Sequence, residues 1–134
     1  MQKFELELKN GMVISSALRE DEVSALPAVH PRDIGNGYIF YWLPVIEFNE
    51  VNVVFGFSFL NGSLRDINVS LSNPELYGDN WDDFSEKKEK LRAKLTEEWL
   101  SQLGYKVGKF PWGSIWAGYE GKGGFGHAVI QYNS

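Results

Sequence analysis

The residues able to carry chemistry are few and scattered. His30 and His127 are the only two imidazoles, and cysteine is absent. A metal site would need both histidines to converge with carboxylates, yet they stand at opposite ends of the chain and neither belongs to a His-x-x-x-His spacing. The sequence therefore predicts no metal site, and His127 reads as a structural or surface residue of the last strand. Without cysteine there is no thiol nucleophile, thiolate ligand or disulfide framework, which fits a cytoplasmic protein.

Three further patterns invite a chemical reading and fail on context. Gly121-Lys122-Gly123-Gly124-Phe125-Gly126 fits Gly-x-Gly-x-x-Gly formally, but it precedes a strand, not the helix whose N-terminus would hold a pyrophosphate. It is no Walker loop either, because Gly123 stands where Ser or Thr must follow the lysine. Gly113-Ser114-Ile115 is not a Gly-x-Ser-x-Gly nucleophile elbow, since Trp112 and Trp116 stand where its glycines would be, and no Ser/His/acid order suggests a triad. Asp79, Asp82 and Asp83 could be paired acids or calcium ligands, but the loop lacks the remaining oxygen ligands, and helix capping accounts for Asp83. The expectation is a protein with no enzymatic activity and no cofactor.

Aromatic side chains and charge remain. Trp42, Trp81, Trp112 and Trp116, with Tyr77 and Tyr119, could supply the large rigid contact area of an interface; the competing reading is that they seal helix ends and sheet edges. Residues 1 to 85 hold 13 Asp/Glu against 5 Lys/Arg, while residues 86 to 134 hold 5 against 8. That balance argues against nucleic acid, whose phosphates demand Lys and Arg. It favours a basic protein partner facing Glu20, Asp21, Glu22, Asp79 and Asp82.

These residues must be positioned by one α+β domain spanning residues 1 to 134, with 43% hydrophobic and 15% aromatic content excluding a disordered chain. No apolar stretch approaches the roughly 20 residues needed to cross a bilayer, so no membrane partner is expected. Residues 3 to 16 form a hairpin across Lys9-Asn10-Gly11. A three-residue loop with Gly in the left-handed position sets Leu6 opposite Ile14. Ala17 to Asn36 is a connection with a short helix around Glu20 to Leu26, ended by Pro27. Tyr38 to Glu47, Val51 to Leu60 and Leu64 to Leu71 form a meander. A turn at Phe48-Asn49-Glu50 aligns Leu43 with Phe55 and Val45 with Val53. A three-residue loop at Leu60-Asn61-Gly62 sets Phe55 opposite Ile67 and leaves Asp66, Asn68 and Ser70 facing water.

After a loop over Ser72 to Asp82, Asp83 and Glu86 make a capping-box pattern. A helix over residues 84 to 103 follows, its apolar stripe Leu91, Leu95, Trp99 and Leu103 widened by Phe84 and Leu100, with Gly104 as C-terminal cap. Phe110 to Tyr119 and Phe125 to Tyr132 close the chain as a hairpin across Glu120 to Gly124. The predicted fold is a single antiparallel meander sheet of about six to seven strands with one long helix packed across it before the C-terminal hairpin. Tyr38, Phe40, Trp42 and Ile46 lie out of phase with Leu43 and Val45 yet are as apolar. That second face calls for a cover: loops, curvature or a second chain.

Tyr77-Gly78, Trp81, Phe84-Ser85, Trp99-Leu100, then Trp112-Gly113-Ser114-Ile115-Trp116 through Tyr119 to Lys122-Gly123-Gly124 resemble a group of small, mostly uncharacterised bacterial single-domain proteins. Some of these are similar to immunity proteins of polymorphic or contact-dependent toxins. The resemblance implies a bacterial source and a non-enzymatic protein that neutralises a toxin by stoichiometric binding. The alternatives from the residues are a small-ligand-binding domain with an aromatic pocket between helix and sheet, and a structural homodimer.

Overall fold

The structure, a computed structural model, describes residues 2–72, 86–120 and 125–133. Tyr77, Asp79, Trp81, Asp82, Asp83, Phe84 and the glycine-rich 121–124 lie outside the described residues, and with them the capping box.

Turn chemistry builds the strands. β1 (Leu6–Glu7) and β2 (Val13–Ile14) pair with Leu6 opposite Ile14, the register of a three-residue loop. Gly11 takes φ 90°, the Leu8 N–H donates to the Met12 carbonyl at 2.9 Å, and the Asn10 carboxamide oxygen accepts from the Met12 N–H at 2.9 Å. The hairpin does not join the main sheet, as a single meander would require, but forms a two-stranded sheet of its own. It docks through the Tyr132 hydroxyl, which donates to the Phe4 carbonyl at 2.8 Å, and through Phe4 against Tyr105.

Among the described residues the main sheet has eight strands, not six or seven. They are β3 (His30–Gly35), β4 (Tyr38–Trp42), β5 (Ile46–Phe48), β6 (Val51–Leu60), β7 (Ser63–Leu71), β8 (Gly108–Phe110), β9 (Gly113–Glu120) and β10 (Phe125–Tyr132). Their order is β3-β4-β6-β7-β10-β9-β8, with β5 continuing β4 along the same edge of β6, and all pairings are antiparallel. The sheet is thus not a meander throughout, because β10 returns between β7 and β9. β3 occupies residues expected as connection. Asn36-Gly37, at φ 56° and 87°, is a two-residue turn that folds it onto β4 as an exposed edge, where Pro31 is tolerated. Pro111-Trp112 likewise splits the expected strand 110 to 119 into β8 and β9.

Two registers differ from expectation for one reason. Asn61-Gly62 (φ 49° and 88°) is a two-residue turn, which pairs Leu60 with Ser63 and Phe59 with Leu64. Arg65 then bulges out and Ser58 meets Asp66, so Phe57 faces Ile67 and Phe55 faces Val69 instead of Ile67. The bulge restores the parity that the shorter turn would have lost. At Asn49-Glu50 (φ 50° and 68°) the turn is again two residues long, and Ile46, not Val45, pairs with Val53. The extra residue is absorbed at Leu43-Pro44-Val45, leaving Leu43 buried and Val45 exposed.

The helix α1 (Glu20–Ser24) and the long helix α2 (Glu86–Gln102) share the inner side of the sheet with the β1–β2 hairpin. The α2 face is rotated from the expected stripe. Leu91 is exposed and Leu95 and Leu103 half-buried, whereas Glu89, Ala93, Thr96, Trp99 and Leu100 are buried. Contact with β10 is the cause: a Cβ on Gly126 would collide with the Glu89 carbonyl oxygen and lie 2.8 Å from the Ala93 nitrogen. Backbones this close need small residues, and Ala93 and Thr96 supply them. The Glu89 carboxylate is satisfied there by the Gly126 N–H at 3.0 Å and by Arg92 at 3.5 Å. Gly104, φ 99°, ends the helix as expected, with the Tyr105 N–H donating to the Leu100 carbonyl at 2.9 Å. Phe4, Phe55, Phe57, Phe59, Ile67 and Ile130 fill the core between the layers. No described helix is long and apolar enough to cross a membrane.

Candidate binding face on the outer side of the sheet

Residues directly opposite in paired strands share a face, so the register maps the side of the sheet that the helices leave open. One line across the strands reads His30, Trp42, Gly56, Asn68, Val129, Trp116. The neighbouring line reads Arg32, Phe40, Ser58, Asp66, Gln131, Ser114 and Lys109. Trp42 and Trp116, at 41% and 46% exposure, thus stand on one row of the same face. Four strand spacings separate them, about 19 Å.

Each indole is seated beside a glycine. A Cβ on Gly56 would lie 2.8 Å from Trp42 and 2.6 Å from Phe40, and a Cβ on Gly118 would lie 2.9 Å from Trp116. The bare backbone lets the rings lean over the sheet, with Phe40 and Trp42 edge-on to one another at 4.9 Å. Asp66, Asn68 and Ser70 consequently do not face open water. Ser58, Ser70 and His127 are buried, and Asp66 and Asn68 are half-buried.

His127 is the chemical centre of this floor. Its Nδ1 lies 2.7 Å from the Asn68 carboxamide oxygen and its Nε2 3.2 Å from a Glu120 carboxylate oxygen, between the rings of Phe125 and Trp116. Burial pushes the imidazole pKa below its usual range, with Glu120 opposing that shift. The arrangement orients and can hold a proton. Its substrate-like exposure is small, since His127 is only 5% accessible. Asp66 is raised by burial against the opposing influence of Gln131 and Arg65, and its Oδ1 is buried without a hydrogen-bond partner. A cleft of about 230 Å³ lined by Tyr38, Arg65, Asp66 and Gln131 opens beside it.

The residues singled out from the sequence separate into groups. Trp42 and Trp116 lie on the same outer face, four strands apart. Trp112 does not join them; it stacks on Phe110 at 5.3 Å and meets Tyr132 at 5.8 Å as a rim of packing. Glu20, Asp21 and Glu22 sit on α1, on the other side of the sheet. There the Tyr41 hydroxyl donates to Glu20 at 2.6 Å, and Arg19 pairs with Asp21 at 3.2 Å and Glu22 at 3.9 Å. Burial, with the Glu20 hydrogen bond adding to it, pushes Tyr41 up to about 12. Among the described residues no cluster of three or more His, Asp or Glu side chains could hold a metal ion. Sequence reasoning missed Gly56 and Glu120, and it placed His127 on the last strand as a structural or surface residue without its buried contacts to Asn68 and Glu120; the alternation of Asp66, Asn68 and Ser70 was visible, but not what leans over them.

No family model matches the chain, and no curated protein or solved structure is significantly similar to it.

Proposed function

We propose that the protein acts by stoichiometric binding of another protein chain, with the outer face of the sheet as its contact surface. The observation that carries this reading is the pairing of Trp42 and Trp116, both substantially exposed, on a single cross-strand row over a floor of small and polar side chains. Exposed tryptophan on a rigid sheet loses little conformational entropy when covered and is enriched among the residues that dominate binding energy. The neighbouring Phe40, Val129 and Phe125 extend the apolar area, and the charges of Arg32, Lys109, Glu47 and Glu120 form its rim, the usual division of an interface. Neutralisation of a bacterial toxin is one form such binding takes. A basic partner would instead be drawn to the exposed Asp21 and Glu22, which lie on α1 across the sheet from this face and whose charge Arg19 partly offsets.

The test is capture from the native host by the wild-type chain and by a Trp42→Ala/Trp116→Ala variant, with circular dichroism establishing that the variant folds. Loss of a stoichiometric partner in the variant supports the reading. Undiminished capture, or turnover of a small substrate, defeats it.

A further inference from the structure

The charges on the outer face are arranged by row. Arg32 and Lys109 stand at the two ends of the row that holds Asp66 and Gln131, on β3 and β8. Glu47 and Glu120 stand at the opposite end of the face, paired with Asn52 and Phe125. All four are exposed. The Trp42 to Trp116 row lies between these ends, one residue pair from the middle.

We propose that the occupant of this face is a second copy of the chain, related by a two-fold axis that lies in the interface and runs across the strands just beside the tryptophan row. This rests on the reading of the outer face as a protein-contact surface and names its partner. Such an axis lays each strand over its own counterpart, reversed. Trp42 then meets the second copy's Trp42, and Trp116 meets Trp116, close to the axis. The reversal also brings Arg32 over the end carrying Glu47, and Lys109 over the end carrying Glu120, each offset sideways by one strand, about 4.8 Å. An axis parallel to the strands would instead set cation against cation and acid against acid. Only the first arrangement is self-complementary in charge, which an isologous interface requires.

The area suffices. From the Arg32 row to the Glu47 row is about 20 Å along the strands, and the five strand positions that run this length (β4 with β5, β6, β7, β10 and β9) cover about 24 Å, so the projected face is about 480 Å², to which the short β3 and β8 add at one end. Side-chain relief brings the accessible area towards the roughly 800 Å² per partner of a stable pair. Face-to-face sheets with strands nearly aligned are a standard packing geometry.

The experiment is analytical ultracentrifugation of the purified full chain up to about 100 µM, at which a micromolar Kd gives mostly dimer. Wild type should sediment as a dimer and Trp42→Ala/Trp116→Ala as a monomer. Arg32→Glu alone and Glu47→Arg alone should each weaken the dimer by about tenfold, a loss of the size expected for rim charges brought into like-charge contact. Arg32→Glu/Glu47→Arg together should restore it, because the swap re-creates the pairing across the axis. These charges are exposed, so folding is preserved, as thermal melts would establish. A wild-type dimer that the charge swap fails to restore overturns the proposed axis. A wild-type monomer overturns the second copy as occupant: if the tryptophan variant then loses a different partner from the host, the contact surface stands with another occupant, and if it loses none, both readings fall.

Discussion

Replacing Leu100 by alanine should destabilise the protein by about 3 to 4 kcal/mol, whereas the same change at Leu91 should cost less than about 1 kcal/mol. Leu100 is 1% exposed and Leu91 39%. Leu to Ala removes three carbons, and at about 0.8 kcal/mol for each buried carbon the transfer loss at Leu100 is about 2.4 kcal/mol. The cavity left between α2 and the sheet adds to this, because backbones held as close as Glu89 and Gly126 cannot relax inward far. Leu95, half-buried, belongs between the two, at about 1 to 2 kcal/mol. Urea denaturation followed by tryptophan fluorescence measures all three variants, and an unchanged m-value establishes that the denatured state is not the source of the difference. Equal losses at Leu91 and Leu100, or a larger loss at Leu91, would refute the helix face described above and restore the stripe read from hydrophobicity alone.

Asp66→Asn should stabilise the protein at pH 7 by about 1 kcal/mol, because it removes a carboxylate that burial disfavours and whose Oδ1 has no partner; the urea midpoint checks it, and a lower midpoint would show that Asp66 is satisfied in solution. Glu50→Gly should raise stability by up to about 1 kcal/mol, since Glu50 holds φ 68° and glycine takes that conformation without the Cβ clash; thermal melts decide it. The His127 pKa is lowered in the fold, so on acidification below about 6.5 the denatured state takes up a proton that the native state resists. Stability should therefore be fully present above that pH and decline beneath it, with the slope reduced in His127→Gln; an unchanged slope would place the proton elsewhere.

Local chemistry was legible wherever one residue type decides the backbone. Asn10-Gly11 set the first hairpin register, and Gly104 ended α2, because each geometry needs a residue tolerant of positive φ. The alternation of Phe55, Phe57 and Phe59 fixed which side of β6 is buried, since a strand has only two faces. Turn length was less legible: Asn61-Gly62 and Asn49-Glu50 are both two residues long, and compensating irregularities at Arg65 and Leu43 to Val45 keep the apolar side inward. Parity could be read locally, whereas the pairing itself depended on a bulge several residues away.

By itself, then, the amino-acid sequence determined most of the antiparallel strands (β3 excepted), the long helix, its C-terminal stop and the inward set of apolar residues on β6 and β7, all consequences of periodicity and left-handed turn positions within one segment. Tertiary structure alone decided what depends on two distant segments meeting. Gly126 admitted α2 so closely that Ala93, Thr96 and Glu89 displaced Leu91 from the interface. Gly56 and Gly118 gave Trp42 and Trp116 room to lean over the floor, and the order β4-β6-β7-β10-β9 put those tryptophans on one row. Residues 42 and 116 share no local signal, because their alignment is the sum of four strand registers, and a change of one residue in any of them would turn one indole into the core.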